Sequence, residues 1–465
     1  MLKKPTMHDT IAHLEAGLND FDLDVRKKSL SELVSLADSG QIALEPASEL
    51  FNMHCHSFFS FNAYGHSPSS LAWLGRCRGY KLMGIIDFDS LDGVDEFLDA
   101  CDIVGIRGSA GLETRVFVPD FAALEINSPG EPGVCYHLGI GFATSRVPLP
   151  VVGELAGLKE RAAQRNLGIL NRVNEYLAPV TIDYEKDVLP LAPEGKPTER
   201  HMVLAFAQAA EQTVADPTVF WATKLGLSEP ETATLMTDPA GFQNALRSKL
   251  MKRGGVGYVP PDSGMFPSLD SLNELIVACG ALPCVGWLDG TSPAEARIDE
   301  WLNYLIDRGA VTLNIVPDRN WNVADPQTRR LKIEKLYQVV ELAGQLHLPL
   351  NIGTEMNSFG QKLVDDLGTA ELAPLRRAFQ DGAYFVYGHT ALQRASMLGY
   401  QSAWANAHFP SRSERNAFYT EIGYLVPPGR ESAALLSQVG ENHTPEEIIS
   451  TFRRQSNGGK LAHAR

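Results

Sequence analysis

Two histidines stand two residues apart in Asn52-Met53-His54-Cys55-His56, closing a short apolar run. If Leu50 to His56 is a strand, its side chains alternate between faces, so both imidazoles point one way and can share one metal ion. Cys55 between them then faces the opposite side, as a small buried apolar residue. Gly84-Ile85-Ile86-Asp87-Phe88-Asp89 and Gly111-Leu112-Glu113 follow at strand-like spacing. Asp87 and Glu113 end apolar runs, which is where a barrel of parallel strands presents its chemistry. A His-x-His taken alone equally suits two core or surface histidines.

The elements needed to position these groups can be read on either side of them. Apolar positions at helical spacing, Ile11, Leu14 and Leu18, then Val25, Leu30, Leu33 and Leu36, predict two helices within residues 7–46, packed as a cap over 1–48. From 49 to 147 strand, turn and helix alternate. Ser67-Pro68 opens a helix to Gly79, Lys81 to Asp87 is a strand, Asp92 to Val104 a helix, and Arg107 to Val118 a strand. Such βαβ alternation signals a parallel sheet or barrel.

Between 148 and 262 the strand signal fades, and Glu154–Leu177, Thr198–Gln212, Pro217–Leu225 and Glu229–Arg253 read as an inserted set of helices. Barrel-like alternation resumes over 263–410, with strands at Leu282–Trp287, Val311–Val316, Leu348–Ile352 and Ala383–Tyr387. If all are barrel strands, their polar ends converge, and Asp289, Glu355, Asn357 and His389 join the candidate site. His389 could instead cap a helix or satisfy the core. Arg319, after a strand end, could clamp a phosphate or carboxylate, or form a surface ion pair. A helical tail occupies 411–465.

The order His-x-His, Gly-Ile-x-Asp-x-Asp-Ser-Leu-Asp-Gly, Gly-Leu-Glu and the Tyr136-His137-Leu138-Gly139 strand resembles the PHP (polymerase and histidinol phosphatase) family of metal-dependent phosphoesterases. The resemblance covers residues 50–145 well and 265–395 loosely. It implies a distorted (β/α)7 TIM-like barrel, here an α/β fold with an N-terminal helical segment and a helical insertion. It also implies divalent ions, Zn, Mn or Fe, held by His54, His56, Glu113 and His137, with water attacking a small phosphate ester. Arg200 and His201, at a helix start, fall near a position the family uses for substrate phosphate; an ordinary charged helix start competes with that reading.

This chain departs from the pattern at several places. Phe88 stands where the family has a histidine, Ser60-Phe61-Asn62 replaces its Ser-Asp-Gly, Val285 to Asp289 matches its Ala-His-Pro strand end, and Glu355-Met356-Asn357 its late Asp-x-His. Phe and Trp cannot ligate a metal, whereas Glu can replace Asp and Asn offers a carbonyl oxygen. One or two ions are therefore expected, with Asp289, Glu355 and Asn357 as further ligands and Asp87, Asp89 or His389 handling the proton.

Composition sets bounds on function. The 465 residues are 44% hydrophobic, enough for a large core, and 41 basic against 56 acidic residues leave a formal charge of −15. An acidic surface argues against nucleic acid as the main partner and for a small phosphorylated substrate. No run reaches membrane-spanning length, so a cytoplasmic location is the default expectation. Six cysteines without a Cys-x-x-Cys pair predict reduced thiols. Oligomeric state is left open. Two other readings stand beside the phosphoesterase: a catalytically degenerate barrel that binds a metabolite or protein partner, and an amidohydrolase-like hydrolase, which would need a bridging lysine that the sequence does not reveal.

Overall fold

The structure is a computed structural model and describes residues 6–193, 197–259 and 264–462. Seven strands form one sheet in sequence order: β1 (Phe51–Cys55), β2 (Leu82–Phe88), β3 (Arg107–Phe117), β4 (Val134–Ile140), β5 (Leu282–Trp287), β6 (Thr312–Ile315) and β7 (Leu350–Ile352). The sheet curls until its edges nearly meet. Past the strand ends the His56 amide donates to the Glu355 carbonyl at 2.7 Å, and the Glu355 amide to the His54 carbonyl at 2.8 Å. Gly353 permits this approach, since a Cβ there would lie 2.4 Å from the His54 nitrogen. The result is a distorted TIM-like barrel.

The distortion has a local cause. β4 runs antiparallel to both β3 and β5, whereas the other neighbours are parallel. Only a single 3₁₀ turn, Pro119–Phe121, interrupts the link from β3 to β4. A parallel return needs a crossover, usually a helix, so the short link leaves the antiparallel pairing.

Helices α1 (Met7–Gly17) and α2 (Leu23–Asp38) sit beside α3 (Pro68–Cys77) and α4 (Val94–Val104). Their anchor is a buried ion pair, Arg26 Nη2 to Glu96 Oε2 at 2.6 Å, with Arg26 Nε donating to Oε1 at 2.9 Å. α3 begins as its sequence dictates: the Ser67 hydroxyl accepts the Ser70 amide at 3.0 Å, and Pro68 takes the first turn.

The insertion comprises α5 (Val152–Leu177), α6 (Glu199–Thr213), α7 (Pro217–Leu225), α8 (Glu229–Met236) and α9 (Pro239–Leu250). It has its own apolar core, in which Val173, Phe206, Trp221 and Leu246 are fully buried. The single helix expected over 229–253 is two, because Asp238 caps a new start, accepting the Ala240 amide at 3.1 Å, and Pro239 cannot continue the old helix.

After the insertion come α10 (Leu269–Ala278), α11 (Ile298–Asp307), α12 (Asp318–Trp321), α13 (Pro326–Gln345) and α14 (Arg376–Ser396), then α15 (Ala403–His408), α16 (Arg412–Leu425), α17 (Arg430–Leu436) and α18 (Pro445–Ala462). The expected strand Ala383–Tyr387 is the centre of α14. Its residues are buried on every side, so no amphipathic period shows in the sequence. The flanking glycines are contact points: a Cβ at Gly388 would lie 2.0 Å from the Tyr419 carbonyl of α16, and one at Gly382 would strike Leu350 of β7. Among the described residues no helix is long and apolar enough to cross a membrane.

Candidate metal centre

His54 on β1 and His56 just beyond it face the barrel interior, and Cys55 turns into the main apolar core. Glu113, from the middle of β3, meets them. Its Oε2 lies 3.2 Å from His54 Nε2 and 3.6 Å from His56 Nε2, and all three groups are buried.

The tautomers follow from the groups behind the rings. Asn314 Oδ1 accepts from Asn351 Nδ2 at 2.9 Å and lies 3.1 Å from His54 Nδ1, which must therefore carry the proton. The Ser60 hydroxyl donates to Asp87 Oδ1 at 2.6 Å, so its oxygen accepts from His56 Nδ1 at 3.0 Å. Both Nε2 atoms are left with lone pairs aimed at one place, and neither Nε2 nor Glu113 Oε2 has a hydrogen-bond partner. Buried polar atoms are rarely left so, and three together could hold one metal ion. All three candidate ligand atoms lie within 4.8 Å of one another.

At His56 the electrostatics suit a ligand. Burial and the neighbouring His54 pull the His56 imidazole down to about 3, which leaves it neutral as a ligand must be. Burial also opposes a charged His54, but the Glu113 carboxylate, 3.2 Å from its Nε2, outweighs burial and raises its pKa. Burial raises the Glu113 carboxyl in turn.

Beside this cluster, reached by Glu113, lies a cavity of 510 Å³, lined by Phe61, Phe88, Tyr136 and Trp287 and by Arg200, Arg319, Glu355 and Asn357. Phe88 stacks on His56, with ring centroids 4.5 Å apart and planes 16° from parallel, so the departure from the family pattern becomes an apolar wall against a candidate ligand. Glu355 accepts Arg319 Nη2 at 2.5 Å and Asn357 Nδ2 at 3.3 Å. Arg319 holds its carboxyl in the ionised form against the effect of burial. Glu355 and Met356 both have positive φ, 65° and 55°, an unfavourable backbone that the two β1 hydrogen bonds hold in place.

The remaining expected site residues fall elsewhere or do other work. Asp87 sits behind His56, taking the Ser57 amide and hydroxyl, both at 2.7 Å, as well as Ser60. Asp89 reaches the cavity wall, where it accepts the Thr114 hydroxyl, and burial raises its pKa. His137 does not join the cluster. It pairs with Thr114 across the antiparallel ladder, one residue out of phase with Glu113, so it faces away and its Nε2 donates to Asn273 Oδ1 at 2.7 Å. Asp289 does not line the cavity and is held by Lys332 at 2.8 Å and by Thr291.

His389 lies on α14, away from the cluster; its Nδ1 accepts the Tyr400 amide at 2.9 Å and its Nε2 donates to the Gly141 carbonyl at 3.1 Å. His201 is also a structural group: its Nδ1 accepts the Thr198 amide at 2.9 Å, closing the cap of α6. Sequence reasoning missed Asn314 and Asn351, each the central residue of a Leu-Asn-Ile triplet in an apolar strand. A polar residue at the same place in two apolar runs was the available signal.

No protein-family profile matches the sequence, and no curated protein matches it either. Among solved structures, the chain is similar to a proposed metal-dependent phosphoesterase from Bifidobacterium adolescentis, at 18% identity and a TM-score of 0.46, covering 72% of this chain and 98% of that one. It is also similar to an amidohydrolase from Chromobacterium violaceum, at 15% identity and a TM-score of 0.43, covering 70% of this chain and 96% of that one. The chemistry of the site is read from its own geometry.

Proposed function

We propose that this protein is a metal-dependent hydrolase of small phosphate esters, built as a divergent PHP-like barrel with residues 148–262 as an inserted helical wall. The observation that carries this reading is the convergence of two unpartnered Nε2 atoms and an unpartnered carboxylate oxygen on one buried point, with each Nδ1 proton held from behind. His54, His56 and Glu113 would hold one divalent ion, which when bound lowers the pKa of water and offsets charge on a phosphoryl oxygen.

The other groups have roles of their own. Arg200 and Arg319 face the cavity and suit the non-bridging oxygens of a phosphate. Their guanidiniums favour phosphate over a neutral amide as substrate. Phe61, Phe88 and Trp287 exclude water around the reacting group. Asp89, raised by burial and facing the same cavity, is the carboxylate assigned to hold or release the proton.

The test is elemental analysis of the purified protein, followed by phosphate release from an aryl phosphate after reconstitution with Zn, Mn or Fe. Roughly one equivalent of metal with metal-dependent release supports the proposal. Absence of metal after reconstitution, or bound metal without release, overturns it.

A further inference from the structure

The chain as a whole is acidic, with 56 acidic against 41 basic residues. The cavities beside the candidate metal centre reverse that balance. Adjoining the metal centre, along β3, β4, α5 and α9, lies a second cavity of 830 Å³ whose described wall carries eight arginine or lysine side chains against three glutamates. Arg115, Arg165, Arg247 and Lys252 line both this cavity and the one that contains Glu113 and Glu355. The two spaces therefore share a cationic seam.

Among the described residues, the anions present do not fully compensate it. Glu199 Oε2 serves two cations at once, Arg247 Nε at 3.1 Å and Lys252 Nζ at 2.9 Å. Arg115 has Glu131 at 2.7 Å, but Arg165 has a carbonyl, Met265 O at 2.9 Å, and a looser approach to Asp89 at 3.6 Å. Burial pushes the Arg165 guanidinium pKa down and brings Arg200 to about 10, with neighbouring guanidiniums adding to both effects. A network whose only task was to tie the insertion to the barrel would be better served by one carboxylate per cation. Half-buried like charges are costly, and a bound anion relieves them. The forked donors of arginine match phosphate in particular.

We propose that this seam is a second anion subsite, and that the substrate carries a second phosphate group, remote from the reacting one, seated among Arg165, Arg247 and Lys252. The inference rests on the phosphoesterase reading above. Phe61, Phe88 and Tyr136 line the cavity that contains both ends, so the body joining the two phosphates packs against aromatic rings.

The experiment is calorimetric titration of the full-length protein with a homologous series of alkanediol bisphosphates, the matching alkyl monophosphates and the matching ω-carboxyalkyl phosphates. At one chain length the bisphosphate should bind about tenfold or more tighter than its monophosphate, the scale of one or two charge-assisted hydrogen bonds. Arg247→Gln combined with Lys252→Gln should bring that ratio towards one. Lys252→Gln alone, at a half-exposed side chain, gives a smaller drop and serves if the double variant fails to fold.

Equal affinity for bisphosphate and monophosphate at every length overturns the proposal, as does a folded double variant that keeps the preference. An ω-carboxyalkyl phosphate that binds as tightly as the bisphosphate overturns the assignment of a second phosphate. Phosphate release is scored separately. A binding preference without release under any metal retains the subsite and removes the hydrolase reading, while release without a preference does the reverse.

Discussion

At β1, His54 and His56 turn unpartnered Nε2 atoms toward a carboxylate, each ring braced from behind through Nδ1. Elsewhere in the fold, His137 and His389 are just as buried but hold the structure together, one bonded to Asn273 and the other bridging Gly141 and Tyr400. Residue type and burial therefore do not separate a candidate ligand from a structural histidine. What separates them is where the free nitrogen points and whether a second free donor meets it there.

The difference can be broken most directly at the ligands themselves. His54→Ala with His56→Ala should abolish stoichiometric metal binding by elemental analysis while leaving the far-ultraviolet circular dichroism intact, because strand pairing and the outward core residues Met53 and Cys55 are untouched. Unfolding would instead assign the pair a structural task. The reverse outcome is expected at a structural histidine: His389→Ala should destabilise the fold by about 2–4 kcal/mol in urea titrations, since it empties a packed position and strands the Tyr400 amide. Its metal content should stay at the wild-type value.

A finer contrast lies in the support behind His54. Asn314→Ala removes the acceptor that sets the tautomer and should weaken metal affinity about 10–100-fold, read by competition with a chelating dye. Asn273→Ala, which removes the equivalent acceptor behind His137, should leave that affinity alone. The smallest effect is expected at Phe88, where Phe88→His replaces the ring stacked on His56 with a donor. A second equivalent of Zn or Mn in titration calorimetry would show that the remaining groups still surround a latent position. Unchanged stoichiometry in a folded variant would show that the apolar wall has replaced it.

The sequence was legible where one local rule decides the outcome. β5 lies at Leu282–Trp287 and α7 at Pro217–Leu225, as expected, and α3 begins at Ser67-Pro68 because cap and proline act within one turn. Legibility failed where packing overrides the local pattern. The run Ala383-Tyr384-Phe385-Val386-Tyr387 has strand-like composition, yet it is helix because α16 and β7 press on it from two sides through Gly388 and Gly382. In the site, Arg200 and Arg319 were visible as cations near element ends, but Arg115, Arg165, Arg247 and Lys252 were not, because they come from β3, α5, α9 and the turn after α9, far apart in the chain.

The sequence by itself determined that His54 and His56 share a face, since a strand alternates with a period of two, and that a carboxylate waits on a later strand. It could not determine whether His137 joins them. That was decided by the direction of β4: its antiparallel register sets Leu138, not His137, opposite Glu113, and so turns the histidine out of the barrel. Register is a property of two strands held together, and it is expressed only once the barrel has formed.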